Sequence, residues 1–256
     1  MKLSIVIPAY NEAVRIIETL NQMKRYLQQQ NLWYDYEVIV VSDGSTDDTD
    51  EVVLSLKKDF SELKLITYPH NRGKGFAVKT GIHASNGDMV LFADADGATP
   101  IEELDKLSEP IFMNRADMVI ASRRVAGANI TQEQSALRIF IGKLFSLLNM
   151  LMLNMPYIDT QCGFKLFKGH LAKQLFDDNI SNGFAFDVEI LFYATQGKYR
   201  IIEQGVTWND GRDSKVSPFK DGMKMLGQVI KLAWRGRVIV ALCNRFMKKT
   251  CQQKCV

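Results

Sequence analysis

"DMVLFADADGATP", residues 88–100, runs through five consecutive apolar positions, Met89 to Ala93, and stops on Asp94 and Asp96 with Gly97 behind them. An unbroken apolar run this short reads as a strand buried on both faces, the kind found in parallel sheets covered by helices. Paired negative charge at the end of such a strand is costly unless something positive meets it. Two carboxylates separated by one residue at a strand end point the same way. They can share a hard divalent cation, Mg²⁺ or Mn²⁺, that also takes the oxygens of a diphosphate. Taken alone, Asp-x-Asp-Gly reads first as a pair of solvated carboxylates with Asp96 as a turn residue.

The same grammar recurs on either side. "LSIVIPA" (3–9), "YEVIVVSD" (36–43), "LKLITY" (63–68) and "DMVIAS" (117–122) are short apolar runs. Helical periods separate them over about 13–29, 48–60 and 75–84, and again from Ile101. The alternation predicts an α/β fold: a doubly wound, mostly parallel sheet with helices on both faces. Ligands of such sheets bind beyond the carboxyl ends of the strands. The polar signals collect at those ends: Asn11 and Glu12, "SDGSTDDT", "NRGKG", "ADADGAT", and Ser122 with Arg123 and Arg124. Asp43 is placed to accept hydrogen bonds from a base or ribose, or simply to open an Asp-Gly turn. Lys74, between Gly73 and Gly75 at a helix start, offers an anion both a cation and free backbone N–H groups. Neither GxxxxGK[ST] nor GxGxxG is present, and His70, His83 and His170 have no ligand-like spacing.

Bulk properties bound the reading. The chain has 256 residues, 46% hydrophobic and 24% charged, which is one ordinary globular domain, at most with an appendage. A net charge of +3 is too small to imply nucleic acid, and none is expected as a partner. Four cysteines without a CxxC pair suggest neither zinc nor a disulfide framework and fit a cytoplasmic setting. The N-terminal "MKLSIVIPAY" is too short an apolar run for a signal core or a membrane span, so the chain is expected to open on a strand.

The second half differs in character. "SALRIFIGKLFSLLNMLMLNM" (135–155) is apolar but interrupted by Arg138, Lys143 and Asn149, which suits a helix lying on the protein or in a membrane interface better than a spanning one. "CGFKLFK" (162–168) and "RIIEQGVTW" (200–208) read as further strands, with a helix over about 186–196. Residues 220–249 carry eight Lys and Arg against one acid, around an apolar set that includes Met225, Val229, Ile230 and Trp234. The expected division is a catalytic domain over 1–218 and a basic amphipathic helical region over 219–256.

"SIVIPAYNE", "VSDGSTDDT", "NRGKGFAVKTGI", "ADADGAT", "DTQCGFKLF" and "FDVEILF" occur in this order. Together they resemble the family 2 glycosyltransferases of GT-A fold, most closely the dolichyl-phosphate β-glucosyltransferases, with the mannosyltransferases as nearest relatives. The resemblance implies that Pro8, Tyr10 and Glu12 hold a nucleotide with Asp43 and Lys74, and that Asp94 and Asp96 form the metal and diphosphate motif. It places Arg123 and Arg138 as cations for an acceptor phosphate, Asp187 and Glu189 near the sugar, and Lys215 in a late active-site loop. Asn209 stands where the mannosyltransferases carry Arg, with Arg212 nearby, which favours the glucosyl branch and leaves Arg212 without an assigned role. The glucosyltransferases usually begin with a membrane helix, and none is expected before the first strand here.

The implied reaction moves a hexose from a nucleotide sugar, UDP-glucose first, to a polyprenyl or dolichyl phosphate at a membrane's cytoplasmic face. A phosphate monoester is largely a dianion at neutral pH and attacks without a strong base. The expected course is therefore single displacement with inversion. Two rivals stay open at this point: a family 2 enzyme that glycosylates a hydroxyl, and a nucleotide-sugar binder without chemistry.

Overall fold

A computed structural model describes residues 1–29, 35–131, 136–176, 180–209 and 222–234. Its centre is a seven-stranded sheet built from β1 (Lys2–Ala9), β2 (Asp35–Ser42), β3 (Leu63–Thr67), β4 (Met89–Ala93), β5 (Met118–Ser122), β7 (Phe164–Lys168) and β8 (Ile201–Gly205). The strand order is β3-β2-β1-β4-β7-β5-β8. All neighbours run parallel except β7, which lies antiparallel between β4 and β5. Helices α1 (Arg15–Gln29), α2 (Thr49–Leu56), α3 (Lys74–Ala84) and α4 (Leu104–Phe112) connect the first five strands. Then follow α5 (Ala136–Leu153), α6 (Gly169–Leu175), α7 (Phe186–Gln196) and a last helix, α8, over residues 222–234.

The period of two along each strand sorts the core into two layers. Leu3, Ile5 and Ile7 of β1 and Met89, Leu91 and Ala93 of β4 face Ile16, Leu20, Val53 and Leu107 on one side of the sheet. Val6, Val90 and Phe92 face Val78, Ile82, Phe186 and Ile190 on the other. Two covered faces explain why these strands are apolar almost without interruption.

One sequence expectation changes, and two helices gain detail. The run 200–208 is two strands: β8 ends at Gly205, and β9 (Thr207–Trp208) leaves the main sheet to pair with β6 (Asn129–Ile130). Gly205 packs so closely on Ala126 and Ala128 backbone atoms that no side chain fits there, and the chain departs at that point. The apolar residues of α8 divide: Met225, Val229, Leu232 and Ala233 are buried, whereas Ile230 and Trp234 are exposed. Finally, α5 keeps Asn149 and Leu153 inward and shows Ile141, Leu144, Leu147, Met150 and Leu151 to solvent. Among the described residues no helix is long and apolar enough to cross a membrane.

Candidate active site

The strand ends deliver their loops to one rim, and a cavity of about 390 Å³ opens there. Its lining brings together all seven residues expected on the donor side: Pro8, Tyr10, Glu12, Asp43, Lys74, Asp94 and Asp96. Asp43, at the end of β2, is buried and organises the loop before α3, since its two oxygens accept the N–H groups of Arg72 and Gly73, each at 2.8 Å. Its own N–H donates to Ala9 O at 2.8 Å, tying the ends of β1 and β2 together. Gly44 has φ of 67°, and a side chain there would strike the backbone of His70 and Asn71. Asp43 therefore serves as a loop anchor as well as a cavity wall.

Asp94 follows β4 and donates its N–H to Gly163 O at 2.9 Å. Lys74 Nζ lies 2.6 Å from Asp94 Oδ1. Burial lowers the Lys74 pKa, but Asp94 and Asp187 outweigh it and hold the ammonium above its usual range. Asp96 does close a turn, accepting the Ala98 N–H at 3.0 Å. Burial, then the charge of Asp94, pushes the Asp96 carboxyl above the ordinary aspartate range. Asp94 and Asp96, two lining carboxylates close enough to interact, would be the ligands of a divalent cation, which would share Asp94 with Lys74. Among the described residues no group of three or more His, Cys, Asp or Glu gathers. Such a cation would thus draw further ligands from a bound diphosphate or water.

The lining includes residues that the strand-end pattern did not disclose. Arg15 sits one turn after Glu12 and grips it through Nε at 2.7 Å and Nη2 at 2.6 Å. The three-residue spacing at a helix start is a signal that could have found the pair. Gly183 and Phe184 line the cavity from the turn before α7. Nothing in their local composition marks them.

A second cavity, about 720 Å³, opens beside α5. Arg123, Arg124 and Lys143 supply its charge, while Ile130, Ile139, Leu147, Met150, Ile158 and Trp208 supply apolar wall. Arg123 is held as a fork by Asp159, with Nε to Oδ2 at 2.7 Å and Nη2 to Oδ1 at 2.8 Å. Burial would raise the Asp159 pKa, but Arg123 holds it down to about 2. Arg124 Nη1 clamps α5, donating to Ser146 Oγ at 2.6 Å and Gly142 O at 3.2 Å. Lys143 has no carboxylate partner among the described residues.

Asp187 occupies a different setting. It is buried, does not appear in the lining of the first cavity, and accepts from Lys165 Nζ at 2.5 Å, Lys165 being wholly enclosed within β7. Burial pushes its carboxyl up, opposed by Lys165 and Lys74. The side chain of Arg138 and the whole of Arg212 and Lys215 lie outside the described residues. Asn209, the last described residue before Lys215, donates its N–H to Ala98 O at 2.8 Å, two positions from Asp96.

Residues 4–176 match the model of glycosyl transferase family 2. A dolichyl-phosphate beta-glucosyltransferase from Dictyostelium discoideum is 34% identical over 91% of this chain and 74% of that protein. The one from Homo sapiens is 34% identical over 88% and 72%. Among solved structures, glucosyl-3-phosphoglycerate synthase from Mycobacterium tuberculosis, in complex with Mn²⁺, uridine-diphosphate-glucose and phosphoglyceric acid, shares the fold. It has a TM-score of 0.65 and 20% identity, covering 90% of this chain and 77% of that one. The chain is a glycosyltransferase, belongs to glycosyl transferase family 2, and groups there with the dolichyl-phosphate beta-glucosyltransferases.

Proposed function

We propose that the protein transfers glucose from UDP-glucose to dolichyl or another polyprenyl phosphate, inverting the anomeric centre in one displacement. The observation that carries this reading is the second cavity, whose lining combines the cations Arg123, Arg124 and Lys143 with the apolar side chains of Ile139, Leu147, Met150 and Ile158. A phosphate on a long hydrocarbon chain matches that lining, and a sugar hydroxyl does not. The names of the relatives point the same way.

In this mechanism Pro8, Tyr10, Glu12 and Asp43 hold the nucleoside. Asp94 and Asp96 would hold Mg²⁺ or Mn²⁺, which when bound supplies Lewis-acid stabilisation to the departing diphosphate, worth several kcal/mol in order of magnitude. Lys74 adds a second positive charge on the same side. The acceptor phosphate needs positioning more than activation, because it is already ionised near neutral pH. Arg123, Lys143, Arg138 and Lys215 are the residues assigned to offset the repulsion between this anion and the donor. Asp159 engages Nε and Nη2 of Arg123, and Nη1 lies outside that pairing. Asp187, enclosed and bound to Lys165, supports Lys74 electrostatically rather than taking a proton from the acceptor.

The exposed apolar ridge of α5 and the exposed Met223, Ile230 and Trp234 of α8 suit an enzyme that meets its acceptor at a bilayer surface. Membrane contact is assigned as peripheral, on the cytoplasmic face, with the basic region 219–256 adding attraction to anionic lipid. The test is an assay of purified protein crossing several nucleotide sugars with polyprenyl phosphates, with and without chelator. Glucose transfer from UDP-glucose to the lipid phosphate, lost in chelator, is the expected result. Transfer only to hydroxyl acceptors would overturn it.

A further inference from the structure

The first turn of α7 carries a contact that the proposed reaction leaves unexplained. Both oxygens of Glu189 are spent on one residue, accepting the Ser181 backbone N–H at 2.6 Å and the Ser181 hydroxyl at 2.5 Å. Ser181 opens a short turn that lies against the backbone of the Gly73–Gly75 loop. Asn182 O accepts the Phe76 N–H at 3.2 Å. A side chain at Gly73 would meet Asn182 O at 2.4 Å, and one at Gly75 would meet Ser181 O at 2.2 Å. The turn is thus pressed from one side by glycines flanking Lys74 and drawn from the other by Glu189. Its next two residues, Gly183 and Phe184, are wall of the donor cavity.

We propose that Glu189 is a positioning residue for donor selection: by clasping the 181–184 turn onto the Gly73–Gly75 backbone, it sets the gap between Phe184 and the Lys74–Asp94 pair and so determines which hexose the cavity accepts. This rests on the proposed nucleotide-sugar reading of that cavity. The physical need is rigidity. Hexose epimers differ in the direction of one hydroxyl, and a wall rejects the wrong one only if it is held to within about half an ångström. A surface turn lacks that precision unless something buried fixes it. Glu189 is buried and carries two short hydrogen bonds at the start of a helix packed in the core. A carboxylate there that merely capped α7 would bond to the N–H groups of the helix itself. This one reaches out of the helix to the turn.

The test compares wild type with Glu189→Ala, Glu189→Gln, Ser181→Ala and Phe184→Leu. It measures kcat/KM for UDP-glucose against its C4 epimer UDP-galactose with a polyprenyl phosphate, together with calorimetric Kd for UDP and thermal midpoint. In E189A the preference for glucose falls on the order of tenfold while the UDP Kd is unchanged. E189Q keeps most of the preference, because its amide still accepts the Ser181 N–H and donates to the hydroxyl. S181A and F184L shift the same ratio with smaller loss of stability, and they report on the clasp if E189A does not fold. A parallel loss for both donors, or a lower midpoint with an unchanged ratio, overturns the assignment. Wild-type protein without transfer to polyprenyl phosphate sinks the proposed acceptor instead. In that event the clasp is read from the Kd of each UDP-hexose, where E189A narrows the gap between the two epimers if the clasp selects the sugar and leaves it unchanged if not.

Discussion

Gly163 lies directly under Asp94: a methyl group added at Gly163 would stand 1.9 Å from Asp94 Oδ2. The carboxylate can escape only by turning away from this seat, since its backbone is fixed by the hydrogen bond to Gly163 O. Gly163→Ala is therefore expected to fold and to lose about 10²-fold in kcat, the cost of misplacing a reacting geometry by about an ångström. The concentration of Mn²⁺ needed for half-activation should rise. A variant with normal metal activation and normal kcat would show that Asp94 does not need this seat.

Arg123 and Lys143 separate two ways of holding a phosphate. Lysine in place of Arg123 keeps the charge but cannot make the fork with Asp159. Arg123→Lys should raise the acceptor KM and lower stability, because Asp159 is left buried with a poorer partner. Lys143→Gln removes an exposed charge and should raise the acceptor KM by about tenfold, the worth of one charge-assisted hydrogen bond. Midpoint and UDP affinity should stay as they were. Steady-state kinetics varying acceptor at saturating donor read both.

The outer face of α5 offers a test of membrane contact. Leu144 and Leu151 are 48% and 70% exposed, so glutamate at both positions costs the folded core little. If the ridge meets lipid, Leu144→Glu with Leu151→Glu reduces recovery with anionic vesicles in flotation and leaves kcat with a detergent-dispersed acceptor intact. Equal recovery of variant and wild type would remove α5 from the membrane surface.

At the opposite end of the sheet, Glu37 is buried under Lys64, Ser4, the Asn86 N–H and Lys2. Burial raises its pKa, but these partners together hold it at about 2, below an ordinary 4.5. A pKa lower in the folded chain than in the unfolded one gives stability that is complete above about 4.5 and disappears as pH falls towards 2. Urea midpoints of wild type and Glu37→Gln should differ most at neutral pH and converge in acid. A gap that stays constant from pH 7 to pH 3 would assign Glu37 no part in the pH dependence.

The strands and the donor residues were readable because the two coincide. Continuous apolar runs such as Ile5 to Ile7 or Val38 to Val41 demand a sheet covered on both faces, and such a sheet puts its ligands where the runs stop. Asp43, Lys74 and Asp94 all follow from that rule. Order and direction of late strands do not: "CGFKLFK" has the same pattern whether it runs with β4 or against it. Lys165 inside that strand looks like an outward-facing charge, and only the fold brings it to Asp187, 22 positions away. The same holds for Glu189 and the turn it grips. In α8, composition identified an amphipathic segment but could not tell that Val229 faces in while Trp234 faces out.

The reversed direction of β7 has a further effect. Its beginning, not its end, arrives at the ligand-binding edge, so the short stretch from Asp159 to Gly163 fastens the fork of Arg123 at its head and underlies the first motif aspartate at its foot. In the proposed reaction both substrates would lean on the same five residues. A shift of this stretch as a whole would therefore be felt at both places at once.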